Sequence, residues 1–155
     1  MTRADAAERT PPRNRWSNPL AARYASAEMA DIWSDGHRYG WWRRMWLALA
    51  EAEAELGLPI SAAQLDEMRA HLDTVDFAKA ATYEKQTRHD VFAHLHTFGD
   101  DCPSARPILH LGATSAFVTD NTDLVLIAES LDLIIARMAG VIEQLVARAR
   151  ENRSV

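Results

Sequence analysis

Residues 120–151 read DNTDLVLIAESLDLIIARMAGVIEQLVARARE, and this segment decides the fold. Apolar residues recur in it at intervals of three or four, which is the spacing of one face of an α-helix. The seam consists of Leu124, Ile127, Leu131, Ile134, Met138, Val141 and Leu145. A helix of about 30 residues is about 45 Å long, far longer than a compact domain of this size needs. The segment therefore predicts a long helix that needs the partners of a helical bundle.

The rest of the chain shows the same helical spacing and lacks alternating β-branched runs, which predicts an all-α protein. Ser26 predicts the N-cap of a short helix that ends at Trp33. Gly36 then separates this helix from a second one over residues 37–56. The second helix holds three of the five tryptophans, which we interpret as core or interface residues.

Two more helical stretches precede the long helix. Ser61 predicts the N-cap of a helix over residues 62–72. Residues 77–98 predict a further helix that bends near Thr87. The prolines within residues 99–107 lack an amide donor and restrict their neighbours, so this stretch predicts a loop that resembles a domain boundary.

Charge and composition limit the partners and the compartment. The 155 residues include 17 Lys and Arg against 22 Asp and Glu, a net charge of -5. This charge excludes the global positive field with which proteins collect nucleic acid or anionic membranes, so we expect neither partner. The single cysteine, Cys102, cannot form an internal disulfide and favours a reducing compartment, so we expect a cytoplasmic protein.

The chain divides into three parts at this level. Residues 1–20 are polar and contain no signal-peptide core, which predicts a disordered tail. Residues 21–113 predict a helical N-terminal domain, and residues 114–155 predict the start of a central helical-bundle domain. Because no cap or closing element follows the long helix, we expect the chain to be a fragment.

Residues 88–123 concentrate reactive side chains. Arg88 and His89 offer donors to a carboxylate or phosphate, and Asp90 can orient an imidazole or a ribose hydroxyl. Thr114 and Ser115 follow Gly112-Ala113 at a helix start, an arrangement that suits an anionic oxygen and equally suits simple helix capping. Taken alone, these residues leave the binding and the structural interpretation open.

Two other candidate sites are weaker. Arg23 and Tyr24 place a cation and a phenol at a helix entrance, which suits a phosphate, although a surface arginine is the commoner explanation. Residues seven apart on one helix share a face, so His89 and His96 would lie together while His94 would not. No recognised spacing fixes a third ligand, so a metal site on these histidines ranks last and we expect no metal.

Four separated blocks carry a family resemblance in the right order: residues 23–29 (RYASAEM), 46–53 (WLALAEAE), 87–98 and 110–124. Together they closely resemble adenylosuccinate lyase, a family of the fumarase/aspartase superfamily, from about residue 20 to the end. The resemblance implies a mostly helical subunit whose long helices assemble a homotetramer. It also implies active sites built from three subunits, and the chain would be the N-terminal domain with the first bundle helix.

The resemblance implies a β-elimination that releases fumarate from adenylosuccinate, giving AMP, and from succinyl-aminoimidazole-carboxamide ribotide, without a cofactor. Arg23 and Tyr24 would hold the substrate phosphate. Arg88, His89 and Asp90 would line the nucleotide and succinyl site, with His89 a contributor to electrostatic stabilisation. Thr114 and Ser115 would bind a substrate carboxylate.

The family's general acid lies in a later Thr-His segment and its general base is a serine on a mobile loop, and neither segment occurs in this sequence. We therefore expect the chain to carry no catalytic acid or base and to be inactive alone. The alternative is a non-catalytic helical protein that oligomerises through its long C-terminal helix.

Overall fold

The computed structural model describes residues 18–154, and within this range every regular element is helical. The prediction of an all-α protein is confirmed. The helices are α1 (Pro19–Tyr24), α2 (Ala27–Ile32), α3 (Asp35–Glu55), α4 (Ala62–Ala70), α5 (Phe77–Thr87), α6 (Asp90–Asp101) and α7 (Ser115–Glu151), with a 3₁₀ turn (Arg106–Ile108) before α7.

The structure contains the N-cap side chains that were predicted to start two of the helices. The Ser26 hydroxyl accepts a hydrogen bond from the Met29 amide at 3.2 Å, and Ser61 forms a capping box with Gln64 at the start of α4. Ser34 caps α3 through the His37 amide, so α3 begins at Asp35, two residues before the predicted start. These caps position the helices that follow them.

The core forms where α3 meets α6 and the turn before α7. Trp42 and Trp46 of α3 are buried, and Trp46 stacks on Phe98 of α6 with ring centroids 6.0 Å apart. The other buried members are Leu47, Ala50, Met68, Val91, Cys102, Ala105, Leu109 and Val118. The interpretation of tryptophans as core residues therefore holds for Trp42 and Trp46.

The prediction of one bent helix over residues 77–98 was wrong. Arg88 adopts a left-handed conformation (φ 52°, ψ 35°) and His89 is extended, so α5 ends at Thr87 and α6 begins at Asp90. The Thr87 hydroxyl oxygen accepts a hydrogen bond from the His89 amide at 3.3 Å, which supports the break. His89 therefore precedes α6, and the prediction that His89 and His96 share a helix face was wrong for the same reason.

The loop predicted over residues 99–107 is shorter than expected, since α6 continues to Asp101. The turn that follows is packed into the core through Cys102, Ala105 and Leu109. The Glu67 carboxylate of α4 accepts hydrogen bonds from the backbone amides of Ser104 (3.0 Å) and Ala105 (3.2 Å), and from the Ser104 hydroxyl. One carboxylate thus fixes the turn that leads to α7.

Helix α7 is 37 residues long and starts at Ser115, five residues earlier than its periodicity indicates. Its N-terminal half packs on α2 and α3. Trp33 Nε1 donates to the Ser130 hydroxyl at 2.9 Å, and the Arg38 guanidinium pairs with the Asp123 carboxylate at 3.0 Å. From Ile134 to Ser154 every residue is exposed.

The three-part division of the chain remains a prediction. Most of the predicted tail lies outside the described residues, and its last two residues, Pro19 and Leu20, begin α1. Within residues 18–154, none of the helices is both long and apolar enough to cross a membrane.

Candidate functional site

The imidazole of His89 joins two parts of the chain that are 26 positions apart. His89 is the N-cap of α6, and its Nδ1 accepts a long hydrogen bond from the Phe92 amide at 3.5 Å. Its Nε2 lies 3.3 Å from the Ser115 hydroxyl oxygen at the start of α7. With Nδ1 as an acceptor, the neutral ring carries its proton on Nε2 and donates it toward Ser115.

Asp90 stands on the other side of the His89 ring. Its Oδ1 accepts a hydrogen bond from the Val91 amide at 2.8 Å and lies 3.5 Å from His89 Nδ1. A carboxylate in the first turn of α6 also suits the positive end of the helix dipole. Asp90 can therefore help to orient the imidazole.

Arg88 occupies the strained position between the two helices. A positive φ is uncommon for a residue other than glycine and persists where the surrounding structure enforces it, often at functional sites. The side chain of Arg88 is exposed and has no ion-pair partner among residues 18–154. Its guanidinium is thus available for a ligand.

The N-terminus of α7 faces this cluster through Ser115. Thr114 is the N-cap residue with extended backbone, yet its side chain makes no capping hydrogen bond. The first amides of a helix lack intrahelical partners and attract anions, and the hydroxyls of Thr114 and Ser115 add two more donors. His89 therefore contacts Ser115 and lies beside Asp90, and Arg88 precedes it in the chain. Donors of these types suit a carboxylate or phosphate.

His110 begins the block that contains Thr114 and Ser115, and the sequence interpretation gave it no role. It has a left-handed backbone (φ 60°), two residues before Gly112 (φ 65°), and its Nδ1 accepts a hydrogen bond from Trp46 Nε1 at 3.0 Å. Burial, and then the charge of His89, lower the pKa of His110. The sequence could have pointed to His110 only through its position in the block that precedes the long helix. Its hydrogen bond to Trp46 joins residues far apart in sequence and leaves no local pattern.

Arg23 and Tyr24 lie elsewhere in the chain. Both are exposed, and Tyr24 lines a groove with Leu133 and Arg137 of α7. Leu133 and Ser115 lie on the same helix, and at 1.5 Å per residue they are about 27 Å apart along its axis. A single chain therefore does not bring Arg23 and Tyr24 to His89.

His89, His94 and His96, the residues of the metal-site alternative, do not meet at one position. His94 is buried and stacks on Tyr39 with ring centroids 3.6 Å apart, and burial together with the Arg43 charge lowers its pKa to about 4. His96 Nδ1 lies 3.2 Å from the Arg106 guanidinium. Across residues 18–154, no group of three or more His, Cys, Asp or Glu side chains is placed to hold a metal ion.

Comparison with known proteins confirms the resemblance seen in the motifs. The chain is 45% identical over 148 residues to adenylosuccinate lyase of Saccharomyces cerevisiae, a match that covers 94% of this chain and 31% of that protein. It is 44% identical over 140 residues to adenylosuccinate lyase of Schistosoma mansoni, covering 90% and 29%.

A match to adenylosuccinate lyase of Methanocaldococcus jannaschii is 32% identical over 138 residues, covering 88% of this chain and 30% of that protein. The chain therefore spans about 30% of the length of the curated relatives it matches. No family model matches the chain.

Proposed function

We propose that this chain, which is similar to adenylosuccinate lyases over nearly all its length, supplies part of the substrate site of such a lyase. The reaction is the β-elimination of fumarate from adenylosuccinate, giving AMP, and from succinyl-aminoimidazole-carboxamide ribotide in purine biosynthesis. The observation that carries this proposal is the 3.3 Å contact between His89 Nε2 and the Ser115 hydroxyl, because it joins the two polar blocks of the sequence.

The contacts of the site support a binding role for each residue. The substrate is a polyanion, and the unpaired Arg88 guanidinium and the His89 Nε2–H are donors beside it. Thr114 and Ser115, at the N-terminus of α7, are assigned to a substrate carboxylate. Asp90 holds the His89 ring, and Arg23 with Tyr24 bind the phosphate.

In the elimination, a base removes the proton next to a carboxylate, and the resulting aci-carboxylate needs donors that stabilise its charge. We propose that His89 and the α7 amides supply that stabilisation. The acid that protonates the leaving nitrogen and the base itself are assigned to segments that this sequence does not contain. The proposal therefore gives the chain substrate binding and part of the electrostatic stabilisation.

We further propose that the lyase is a homotetramer assembled through α7. The C-terminal half of α7 exposes an apolar seam, with 57% of Met138 and 63% of Leu145 accessible to solvent. Exposed apolar patches of this extent usually mark interfaces. Assembly also explains the separation between Tyr24 and Ser115. A neighbouring copy can supply Arg23 and Tyr24 to the residues around His89, which we call the His89 cluster: Arg88, His89, Asp90, Thr114 and Ser115.

The proposed compartment is the cytoplasm. Cys102 is free and fully buried, and its thiol donates to the Phe98 carbonyl at 2.8 Å. Burial raises the pKa of this thiol to about 12, so the thiolate form is strongly disfavoured.

The elimination chemistry requires neither a metal nor an organic cofactor.

A second candidate function rests on the same exposed seam. In that case the chain is a non-catalytic helical protein that pairs through α7 and binds no nucleotide. The two candidates differ in whether the His89 cluster binds substrate.

Calorimetric titration of adenylosuccinate into the assembled chain separates the two candidates. The His89→Asn variant keeps an N-cap, since asparagine caps helices well, but it loses the imidazole. We expect its affinity to fall by about tenfold, the value of one charge-assisted hydrogen bond. The matched control is His96→Asn on the same helix, which should bind like the parent. Equal affinity in the parent and His89→Asn, or no binding by the assembled parent, would favour the second candidate.

A further inference from the structure

The indole of Trp46 makes a hydrogen bond that determines where His110 carries its proton. Trp46 Nε1 lies 3.0 Å from His110 Nδ1. An indole nitrogen can only donate, so Nδ1 must be the unprotonated acceptor and the neutral imidazole must carry its proton on Nε2. The bond reaches from the middle of α3 to the turn before α7, across 64 positions of sequence.

Both partners of this bond are held in place. Trp46 is 1% exposed, stacks on Phe98 and contacts Trp42 edge-on with ring centroids 6.3 Å apart. His110 sits in a left-handed conformation at the end of the turn that Glu67 anchors. The Trp46 ring therefore cannot reorient without disturbing the core.

The same bond opposes a charged imidazole. Protonation of Nδ1 would set an N–H against the indole N–H and leave the buried donor unsatisfied. Burial, and then the charge of His89, act in the same direction and lower the pKa of His110. The hydrogen bond from Trp46 and the lowered pKa together favour His110 as a neutral donor.

We propose that Trp46 is a positioning residue that fixes His110 in the Nε2-protonated, neutral form, so that His110 offers one hydrogen-bond donor to the anionic substrate beside His89 and Ser115. The substrate part of this inference rests on the proposed function. The tautomer part rests on the geometry alone and can be measured without any ligand.

The unmodified chain supplies the first measurement. In a sample labelled with ¹⁵N in histidine and tryptophan, a scalar coupling between Trp46 Nε1 and His110 Nδ1 reports the N–H···N bond directly. We expect this coupling at neutral pH, with the ¹⁵N shift of a bare nitrogen at Nδ1 and of a protonated nitrogen at Nε2. A proton on Nδ1 of His110 at neutral pH would overturn the proposal.

Two matched variants supply the second measurement. Trp46→Phe removes the indole donor and keeps an aromatic ring. Trp42→Phe removes an indole on the same helix that is also buried, at 2% exposure, but whose Nε1 has no hydrogen-bond partner among residues 18–154. We expect His110 to populate both tautomers and to titrate at higher pH in Trp46→Phe and to stay unchanged in Trp42→Phe. Equal changes in the two variants would show that the indoles act through packing alone.

The third measurement is the lyase activity of an assembly that contains this chain and the segments assigned the acid and the base. There Trp46→Phe should lower kcat/KM by about three- to tenfold, the value of one hydrogen bond, with the acid limb of the pH profile displaced. Trp42→Phe should leave both unchanged, and an unaltered kcat/KM in Trp46→Phe would overturn the positioning role. If an assembly that contains this chain and the segments assigned the acid and the base shows no lyase activity while the tautomer is as expected, the proposed function fails and the tautomer assignment stands.

Discussion

Arg43 and Asp101 form an ion pair between α3 and the end of α6, with Arg43 Nη2 2.8 Å from Asp101 Oδ2 and the arginine side chain 2% exposed. The guanidinium also donates to the His71 carbonyl and lies over the Phe98 ring. Arg43→Met leaves Asp101 with Lys79, whose Nζ lies 3.7 Å away. It also removes the donor to the partly buried His71 carbonyl, and an unsatisfied buried polar group costs about 1 to 3 kcal/mol. We therefore expect Arg43→Met to lower the free energy of unfolding by about that amount in urea titrations.

The adjacent residue provides the control for this prediction. Arg44 pairs with Asp73 at 2.7 Å, but 79% of the Asp73 side chain is exposed. Exposed pairs contribute less than about 1 kcal/mol, so Arg44→Met should change stability little. Similar losses in the two variants would contradict the assignment of the Arg43 pair as the buried, structural one.

Stability should fall as the pH drops from about 6.5 toward 4, because of His94. Its pKa is lowered to about 4 in the folded chain by burial and by the Arg43 charge, from 6.5 in the unfolded chain. Between these values the unfolded state binds the extra proton, so acidification favours unfolding by up to about 3 kcal/mol. Urea unfolding at pH 7 and pH 4.5 measures the difference.

His94→Phe keeps a ring against Tyr39 and removes the titrating group. This variant should lose most of the pH dependence between 7 and 4.5. His96→Phe, an exchange at a more exposed position of the same helix, should retain it. A parent chain whose unfolding free energy is constant over this range would show that His94 is not a buried, neutral imidazole.

The exposed seam of α7 predicts self-association. Leu145→Lys places a charge within the seam and should reduce the mass measured by light scattering. Glu143→Lys places the same side chain in the same turn but on the opposite side of the helix, so it should leave the mass unchanged. A parent chain that is a folded monomer at micromolar concentration would contradict the proposed interface.

The chain alone should release no AMP from adenylosuccinate. The structure places donors around the His89 cluster, and the proposed mechanism assigns the acid and the base to other segments. A spectrophotometric assay of the purified chain should therefore match the buffer rate. A rate above buffer would require an acid and a base among the residues of this chain.

Local sequence signals predicted much of the helical framework. Ser26 and Ser61 have the residue types and spacing of N-caps, and the seam of α7 is periodic over many turns, so these elements followed from the sequence. The break at Arg88 did not, because no glycine or proline marks the left-handed residue and Thr87 supports it through its side chain.

The candidate site was predictable in its residue types and only partly in its geometry. Arg88, His89 and Ser115 could be named from their chemistry, but the contact between His89 and Ser115 depends on how α6 and α7 pack. The partner of His110 is Trp46, which is remote in sequence, so no local pattern could reveal it. Long-range packing therefore accounts for what the sequence interpretation missed.

Helix α7 buries residues against its own chain along its first half, whereas every described residue from Ile134 onward is exposed. If copies associate through the exposed C-terminal half of α7, folding and assembly are linked in the absence of ligand. Dilution then dissociates the assembly and favours unfolding. The midpoint of thermal unfolding should then rise with protein concentration, and variants compared at different concentrations would show spurious differences in stability.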